Sequence, residues 1–310
     1  MNKLQLRVEG SGQRLDAFIA GHQPDISRAY ARRLIDEGLV SVDGRPVKAA
    51  ARLLDGQSVE ISLPEPVATG LVAEDLPLEV LYEDADLVAV NKAPGMPVHP
   101  SPGHDRGTLV NALLARYPDI GPLAGELRPG IVHRLDKDTS GVMVVARNSL
   151  AMVSLTRQIK AREVDKVYLA LVEGSLQPPR GVIEAPVGRD PRERRRQAVV
   201  EGGREARTGY RVLLQGDTAG LVEVVLETGR THQIRVHMAA VGHAVVGDAL
   251  YGRRSAVIRR QALHSWKLGF KQPTSGERID VEAPPPADFL TAAEALGLTP
   301  VPGLDIAHLS

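Results

Sequence analysis

Apolar and polar positions repeat with two different periods along this chain, and the change of period divides it. Between residues 12 and 62 the helical period comes first: Arg14-Leu15-Asp16-Ala17-Phe18-Ile19 opens an amphipathic helix with Leu15, Phe18 and Ile19 on one side. Ser27 is a credible N-cap for a second helix from Arg28 to about Glu37, with Gly38 as its C′ stop. On that helix Arg28 and Arg32 lie four apart and share a face, with Arg33 beside them, while Tyr30, Leu34 and Ile35 turn inward. Period two then takes over. Residues 39–47 read as strand, Asp-Gly turn, strand, and 57–63 as a further alternating strand. Residues 64–70 have no apolar period and carry Pro64 and Pro66, the composition of an extended linker. From 74 to 290 short apolar runs dominate, clearest at 80–82, 87–90, 142–146, 167–172 and 221–226. Helices are predicted at 108–117, 149–161 and 231–241. Strands outnumber helices and do not alternate regularly with them, which predicts an α+β fold with a mixed or antiparallel sheet.

Composition narrows the chemistry. A chain of 310 residues suggests roughly two domains and needs no disulfide or structural metal to hold a core. The absence of cysteine excludes disulfides, zinc fingers, iron–sulfur clusters and a thiol nucleophile. Ten aromatic residues (3 Phe, 6 Tyr and 1 Trp) are too few for a sheet that stacks a row of bases. No P-loop is present, and Gly10-Ser11-Gly12 does not complete a dinucleotide fingerprint because Leu15 stands where the third glycine belongs. Nucleotide cofactors therefore have no visible cradle. The first residues have no apolar signal-peptide core, and no apolar run approaches the ~18 residues of a membrane span, so a cytoplasmic protein without a membrane partner is expected.

The formal net charge of zero conceals segregation. Residues 63–91 hold 7 acidic and no basic side chains, and residues 279–310 hold 5 and none. Residues 128–278 hold 26 basic against 15 acidic side chains, with a cluster at Arg192, Arg194, Arg195 and Arg196. Such a stretch fits either solvated surface or a phosphate-binding face.

Two constellations could carry chemistry. In Gly130-Ile131-Val132-His133-Arg134-Leu135-Asp136-Lys137-Asp138-Thr139-Ser140-Gly141 an apolar strand enters a polar loop, with Asp136 at the junction. In Thr228-Gly229-Arg230-Thr231-His232-Gln233-Ile234-Arg235-Val236-His237 a strand breaks and a helix begins, with His232 and Arg235 three apart on one face. A Ser140–His133–Asp136 relay is disfavoured by such short spacing and by the lack of G-x-S-x-G. A metal at His133, Asp136, His232 and His237 is opposed by Arg235 and by the absence of H-E-x-x-H. For an Asp136–Asp138 glycosidase pair nothing fixes the separation of the two carboxylates.

The same residues resemble a known family. His133-Arg134-Leu135-Asp136 followed by Thr139-Ser140-Gly141, Gly229 to His237, Lys166-Val167-Tyr168-Leu169-Ala170, Asn91-Lys92-Ala93-Pro94-Gly95, Leu263-His264 and Glu282-Ala283-Pro284 match, in order, the signature elements of the RluA-type pseudouridine synthases. Met96 to Pro100, Gly107 to Leu114 and Arg128 to His133 look like the branch acting on large-subunit rRNA. The N-terminal module resembles the S4 RNA-binding domain in its two helices and in the hairpin from Gly38 to Lys48. The resemblance implies an S4 (αL-type) domain at 12–62, a linker at 63–73, a mixed, largely antiparallel catalytic domain at 74–290 and a tail at 291–310. It implies a uridine isomerase acting by base flipping, with Asp136 as the essential carboxylate, Arg235 as its counter-charge and Tyr168 packed under the uracil. Arg134 would enter the space left by the flipped base. Arg28, Arg32, Arg33 and Lys48 would face RNA from the S4 module. Lys92, Arg189, Arg192, Arg194, Arg195 and Arg196 would hold phosphates in the catalytic domain. His133, His232 and His237 would be structural. The reaction conserves atoms and electrons, so no cofactor and no metal are expected. The expected partner is large-subunit rRNA or the assembling large subunit, met by a monomer. The alternative is a noncatalytic rRNA-binding or ribosome-assembly protein of the same fold.

Overall fold

The computed structural model describes residues 2–23, 26, 28–63, 71–100, 106–120, 129–193 and 196–299. Ser27, Arg194, Arg195 and residues 64–70 of the expected linker lie outside them.

The N-terminal module consists of β1 (Asn2–Arg7), α1 (Leu15–His22), α2 (Arg28–Asp36), β2 (Val40–Val42), β3 (Arg45–Pro46) and β4 (Ser58–Leu63). Its strands form an antiparallel sheet in the order β1-β4-β2-β3. Leu15, Phe18 and Ile19 of α1 and Leu34 and Ile35 of α2 bury against Val40, Val42, Val59 and Ile61 in a core of their own. Asp43 and Gly44 at the hairpin turn both have positive φ (50° and 75°), the two-residue geometry whose twist matches paired strands. Gly38 ends α2 in the left-handed region, at φ 75°.

The rest of the chain adds β5 (Glu79–Glu83), β6 (Leu87–Lys92), α3 (Leu109–Arg116), β7 (Ser140–Ala146), α4 (Ser149–Ala161), β8 (Asp165–Glu173), β9 (Arg180–Glu184), β10 (Val187–Arg189), β11 (Gln197–Val199), β12 (Arg207–Gln215), β13 (Ala219–Leu226), α5 (Gln233–Ala240), β14 (Leu263–Lys271), β15 (Arg278–Glu282) and α6 (Ala287–Ala295). Nine strands form one sheet, in the order β5-β6-β7-β14-β8-β13-β12-β9, with β15 on the far half of β14. All its pairings are antiparallel except β14 with β7. The mixed, largely antiparallel α+β architecture is the one expected. The separate ribbon β10–β11 lies against α5.

The central strands are apolar along their whole length because both faces are covered. Period two sorts their side chains between two cores. Val142, Val144 and Ala146 of β7 face α4 (Ala151, Leu155), whereas Met143 and Val145 face the core that includes Leu109, Leu113, Ile234 and Met238. That second core also takes Phe289, Ala292 and Ala293 of α6 and Leu298, so packed chain continues past residue 290.

The single parallel pairing positions the active loop. Ser140 and Gly141 meet His264 and Ser265 there. Gly141 has φ 113°, and a Cβ on it would run into the Ser265 carbonyl, so only glycine lets β7 leave the loop at this point. Ser140 pairs with His264 Nδ1 at 2.9 Å and is buried, away from any relay with His133.

Candidate active site

The loop from Arg134 to Thr139, the start of α5 and the middle of β8 enclose a cavity of about 520 Å³. Asp136, Tyr168, His232 and Arg235 all line it.

Three side chains from elsewhere pin the loop, two at backbone carbonyls and one at a side-chain hydroxyl. Lys92 Nζ donates to Lys137 O (2.9 Å), Arg260 Nη1 to Asp138 O (3.0 Å), and Gln261 Nε2 to Thr139 Oγ1 (3.2 Å). His133 Nε2 accepts the N–H of Val144 at 3.0 Å, and burial drives its proton affinity down to about 4, so it is neutral and fixes the loop to β7. Asp136 is thereby presented at a rigid position, with its side chain 18% exposed.

Arg235, on the first turn of α5, bridges two carboxylates. Its Nη1 donates to Asp136 Oδ2 at 2.9 Å, while Nε and Nη2 form a fork on Asp248 (2.7 and 2.9 Å). Burial disfavours the charged guanidinium, but Asp248 and Asp136 more than reverse this, and Arg235 holds its proton more tightly than usual. Asp248 is buried, and its Oδ1 also accepts the N–H groups of Leu250 and Tyr251 (3.0 and 3.2 Å).

Tyr168 lies on β8 opposite Ser265 of β14 and Val224 of β13. It is 6% exposed, and burial pushes its hydroxyl up to about 12, with Ser265 opposing and nearby Asp136 adding to the rise. The ring is therefore a neutral platform at physiological pH.

His232 has φ 57°, so α5 starts at Gln233 and not at Thr231 as the apolar spacing predicts. Gln233 Oε1 accepts the Arg230 N–H at 3.0 Å and shapes this turn. The structural role expected of His232 is only part of the picture, because its ring forms the cavity wall with Nε2 3.7 Å from Asp136 Oδ2. Its Nδ1 lies 2.8 Å from the Tyr251 hydroxyl, which also accepts the Gln197 N–H (2.8 Å). A carboxylate beside Nε2 favours the tautomer with its proton there, so the Tyr251 hydroxyl donates to Nδ1. Burial, ahead of the opposing pull of Asp136, lowers the proton affinity of the ring. His237, by contrast, is buried between Thr208 Oγ1 and Ala185 O, each at 2.9 Å.

The expected RNA-facing residues divide. Arg134 is exposed at the rim of the cavity and makes no hydrogen bond or ion pair among the described residues. Arg189 and Arg192 are exposed on the β10–β11 ribbon, and Arg196 stacks over Tyr251 at 5.2 Å. Arg32 and Lys48 are exposed, Arg32 with a long, solvent-facing pairing to Asp36 (3.8 Å), while Arg28 is tied to buried Asp16 (3.2 Å) and Arg33 to Glu37 (3.3 Å). Lys92 is a correction. Its side chain is fully buried, and Nζ donates to the carbonyls of Ala93 and Met96 as well as Lys137. It cannot reach a phosphate. Burial pulls its proton affinity down to about 7 against the pull of Asp138. Its task is to join the end of β6 to the Asp136 loop. Lys92→Met is expected to leave three carbonyls unpaired, to cost about 2–4 kcal/mol of stability by thermal or urea unfolding, and to lower activity through the loosened loop.

Spacing along the chain gave no sign of Asp248 or Tyr251. Both sit in a turn, 13 and 16 residues past Arg235, with no periodicity to mark them.

Comparison with known proteins agrees with this geometry. Residues 86–240 match the RNA pseudouridylate synthase family and residues 13–59 the S4 domain. An uncharacterized RNA pseudouridine synthase of Chloroflexus aurantiacus is 54% identical over 281 residues, covering 90% of this chain and 88% of the relative. The ribosomal large subunit pseudouridine synthase D of Nitrosomonas europaea is 41% identical, covering 95% and 88%. Among solved structures, human RNA pseudouridylate synthase domain containing 1 superposes with a TM-score of 0.57 at 32% identity, covering 73% of this chain and 97% of that one. The chain belongs to the RNA pseudouridylate synthase family and carries an S4 domain at its N-terminus. It is a pseudouridine synthase, an isomerase, and the noncatalytic alternative is set aside.

Proposed function

We propose that the substrate is large-subunit ribosomal RNA and that Asp136 is the residue on which isomerisation turns. The observation that carries this reading is the Asp136–Arg235–Asp248 bridge in a cavity roomy enough for a flipped nucleotide, with Tyr168 in its lining. The specificity for large-subunit rRNA rests on the similarity to the Nitrosomonas europaea enzyme, whose name states that target.

In the reaction the N1–C1′ bond of uridine breaks, the base turns, a C5–C1′ bond forms, the proton on C5 passes to solvent, and N1 takes up a proton in its place. The target base first leaves its stack, at a cost of roughly a few kcal/mol. Arg134, free at the rim, is placed to occupy the vacated position. The uracil then lies against Tyr168. The Asp136 carboxylate initiates bond cleavage, either by attacking C1′ or by taking the C2′ proton. Arg235 keeps that carboxylate in one orientation, and Asp248 in turn orients Arg235. His232 presents an Nε2–H towards the same carboxylate oxygen.

The S4 module supplies a second grip. Arg32 and Lys48 project from it and leave its core intact when altered. Charge reversal of both is expected to weaken rRNA binding at least about tenfold and to flatten the salt dependence by roughly 0.7–0.9 per lost phosphate contact. Unchanged affinity at physiological salt would remove the S4 module from the RNA interface.

Mapping pseudouridines in total RNA from cells with and without the gene tests the substrate. The reading expects sites in large-subunit rRNA to disappear. Loss of sites confined to tRNA or small-subunit rRNA would refute it.

A further inference from the structure

The wall of the cavity beyond Tyr168 is cationic and largely unmatched. Lys166 lies two residues before Tyr168 on β8, so both side chains point to the same face, about 7 Å apart along the strand. Lys166 is 8% exposed, lines the cavity, and its side chain has no hydrogen bond or ion pair among the described residues. The Lys166 stem is buried while its ammonium opens onto the cavity, and a cation in so enclosed a place, with only Asp165 near to offset it, favours an anion beside it.

Arg162, Arg204 and Arg230 line the same wall. The carboxylates within reach are already engaged: Glu205 with Arg162 (2.9 Å), Glu227 with Arg207 (2.7 Å), and Asp165 with Arg278. Arg204 has no side-chain hydrogen bond or ion pair among the described residues, and Arg230 spends only its Nε, on the Glu205 carbonyl (2.9 Å). The cations act against one another. Burial and then Arg230 and Arg162 loosen the Lys166 proton, and burial and then Arg204 and Arg162 loosen that of Arg230. An anion placed among them would relieve both effects.

We propose that Lys166, Arg204 and Arg230 form the seat of a single RNA backbone phosphodiester, the one adjoining the uridine that enters the cavity. The assignment rests on the reading of the cavity as the uridine site. It gives the site a ruler: base on Tyr168, neighbouring phosphate on Lys166, both on one strand face. A uridine is then recognised together with one flanking charge, and a free nucleobase or a neutral linkage lacks half of the recognition.

The test uses the full chain and short RNAs around a uridine that mapping has shown to be converted. In each RNA a neutral methylphosphonate replaces the phosphate on the 5′ or the 3′ side of that uridine. With the wild-type chain, one of the two replacements is expected to lower kcat/KM about tenfold or more, the scale of one charge-assisted contact. With Arg204→Gln and with Lys166→Met the all-phosphate RNA is converted more slowly, and the same replacement costs at least about threefold less than it does in the wild type, because one of the three contacts is already gone. Arg204 is exposed, so its variant keeps the fold and remains informative if Lys166→Met fails to fold. Equal losses in wild type and Arg204→Gln would overturn the proposal, as would wild-type indifference to both linkages. Failure of the wild type to convert the all-phosphate RNA would instead tell against the uridine reading of the cavity.

Discussion

Asp136→Asn is expected to lower pseudouridine formation by at least about 10⁴-fold while leaving the chain folded, the scale of losing a group on which the bond changes depend. The side chain keeps its shape, and an amide oxygen can still accept from Arg235 Nη1, so the loop pinned by Lys92, Arg260 and Gln261 is not disturbed. What disappears is the negative charge beside Arg235 and Tyr168; Glu227, the other carboxylate lining the cavity, is engaged by Arg207. The variant should still bind RNA within a few-fold of wild type. A single-turnover assay beside a binding titration separates the two effects. Conversion by the variant within about tenfold of wild type would mean that Asp136 is not the initiating group.

Arg235→Met is expected to be damaging in a different way. It strips the fork from Asp248, which is only 1% exposed, and leaves two carboxylates facing a methionine. Breaking a buried pair from one side costs about 3–5 kcal/mol. The pH dependence distinguishes this loss from a packing defect. In the wild type Asp248 is held below its ordinary 3.8, with Arg235 outweighing burial, so its contribution to stability is present above that value and is lost as pH falls through the lowered one. In Arg235→Met only burial and two backbone N–H groups act on Asp248, and burial raises its proton affinity. The folded state then takes up a proton that the unfolded state does not hold, and the variant becomes relatively more stable as pH falls from 7 towards 5. Unfolding curves at the two pH values check the sign. A stability loss that is the same at both would show that the Arg235–Asp248 pair is not what holds this wall. Asp248→Leu added to Arg235→Met should recover part of the stability and none of the activity.

Much of this molecule is legible in its sequence. The signals that worked were local. The Asp-Gly pair fixed a two-residue turn because both φ values must be positive, and the unbroken apolar run 142–146 marked a strand, which the fold covers on both faces. Asp136, Tyr168 and Arg235 do converge on one cavity, as the family resemblance implied. The failures share a cause. Lys92 has the composition of an RNA-binding residue, and only the fold shows three carbonyls closing over its amino group. The positive balance of the middle segment was similarly too generous as a map of RNA contacts. Arg207, Arg211 and Arg278 within it are spent on Glu184 and Glu227, on Glu223, and on Asp165 and Asp280. Charge counts along a chain cannot tell a paired arginine from a free one, because pairing is decided across strands. Asp248 and Tyr251 were missed for the same reason: each acts through a partner brought close only by the folding of 247–252 over α5.

The central claim is that this cavity isomerises uridine in large-subunit rRNA through Asp136. Its most direct test is release of tritium from large-subunit rRNA transcribed with [5-³H]uridine, since only formation of the C5–C1′ bond expels that label to water. The account predicts stoichiometric release with the wild-type chain and none above background with Asp136→Asn at equal RNA occupancy. Equal release by the two proteins, or release from small-subunit rRNA alone, would contradict it.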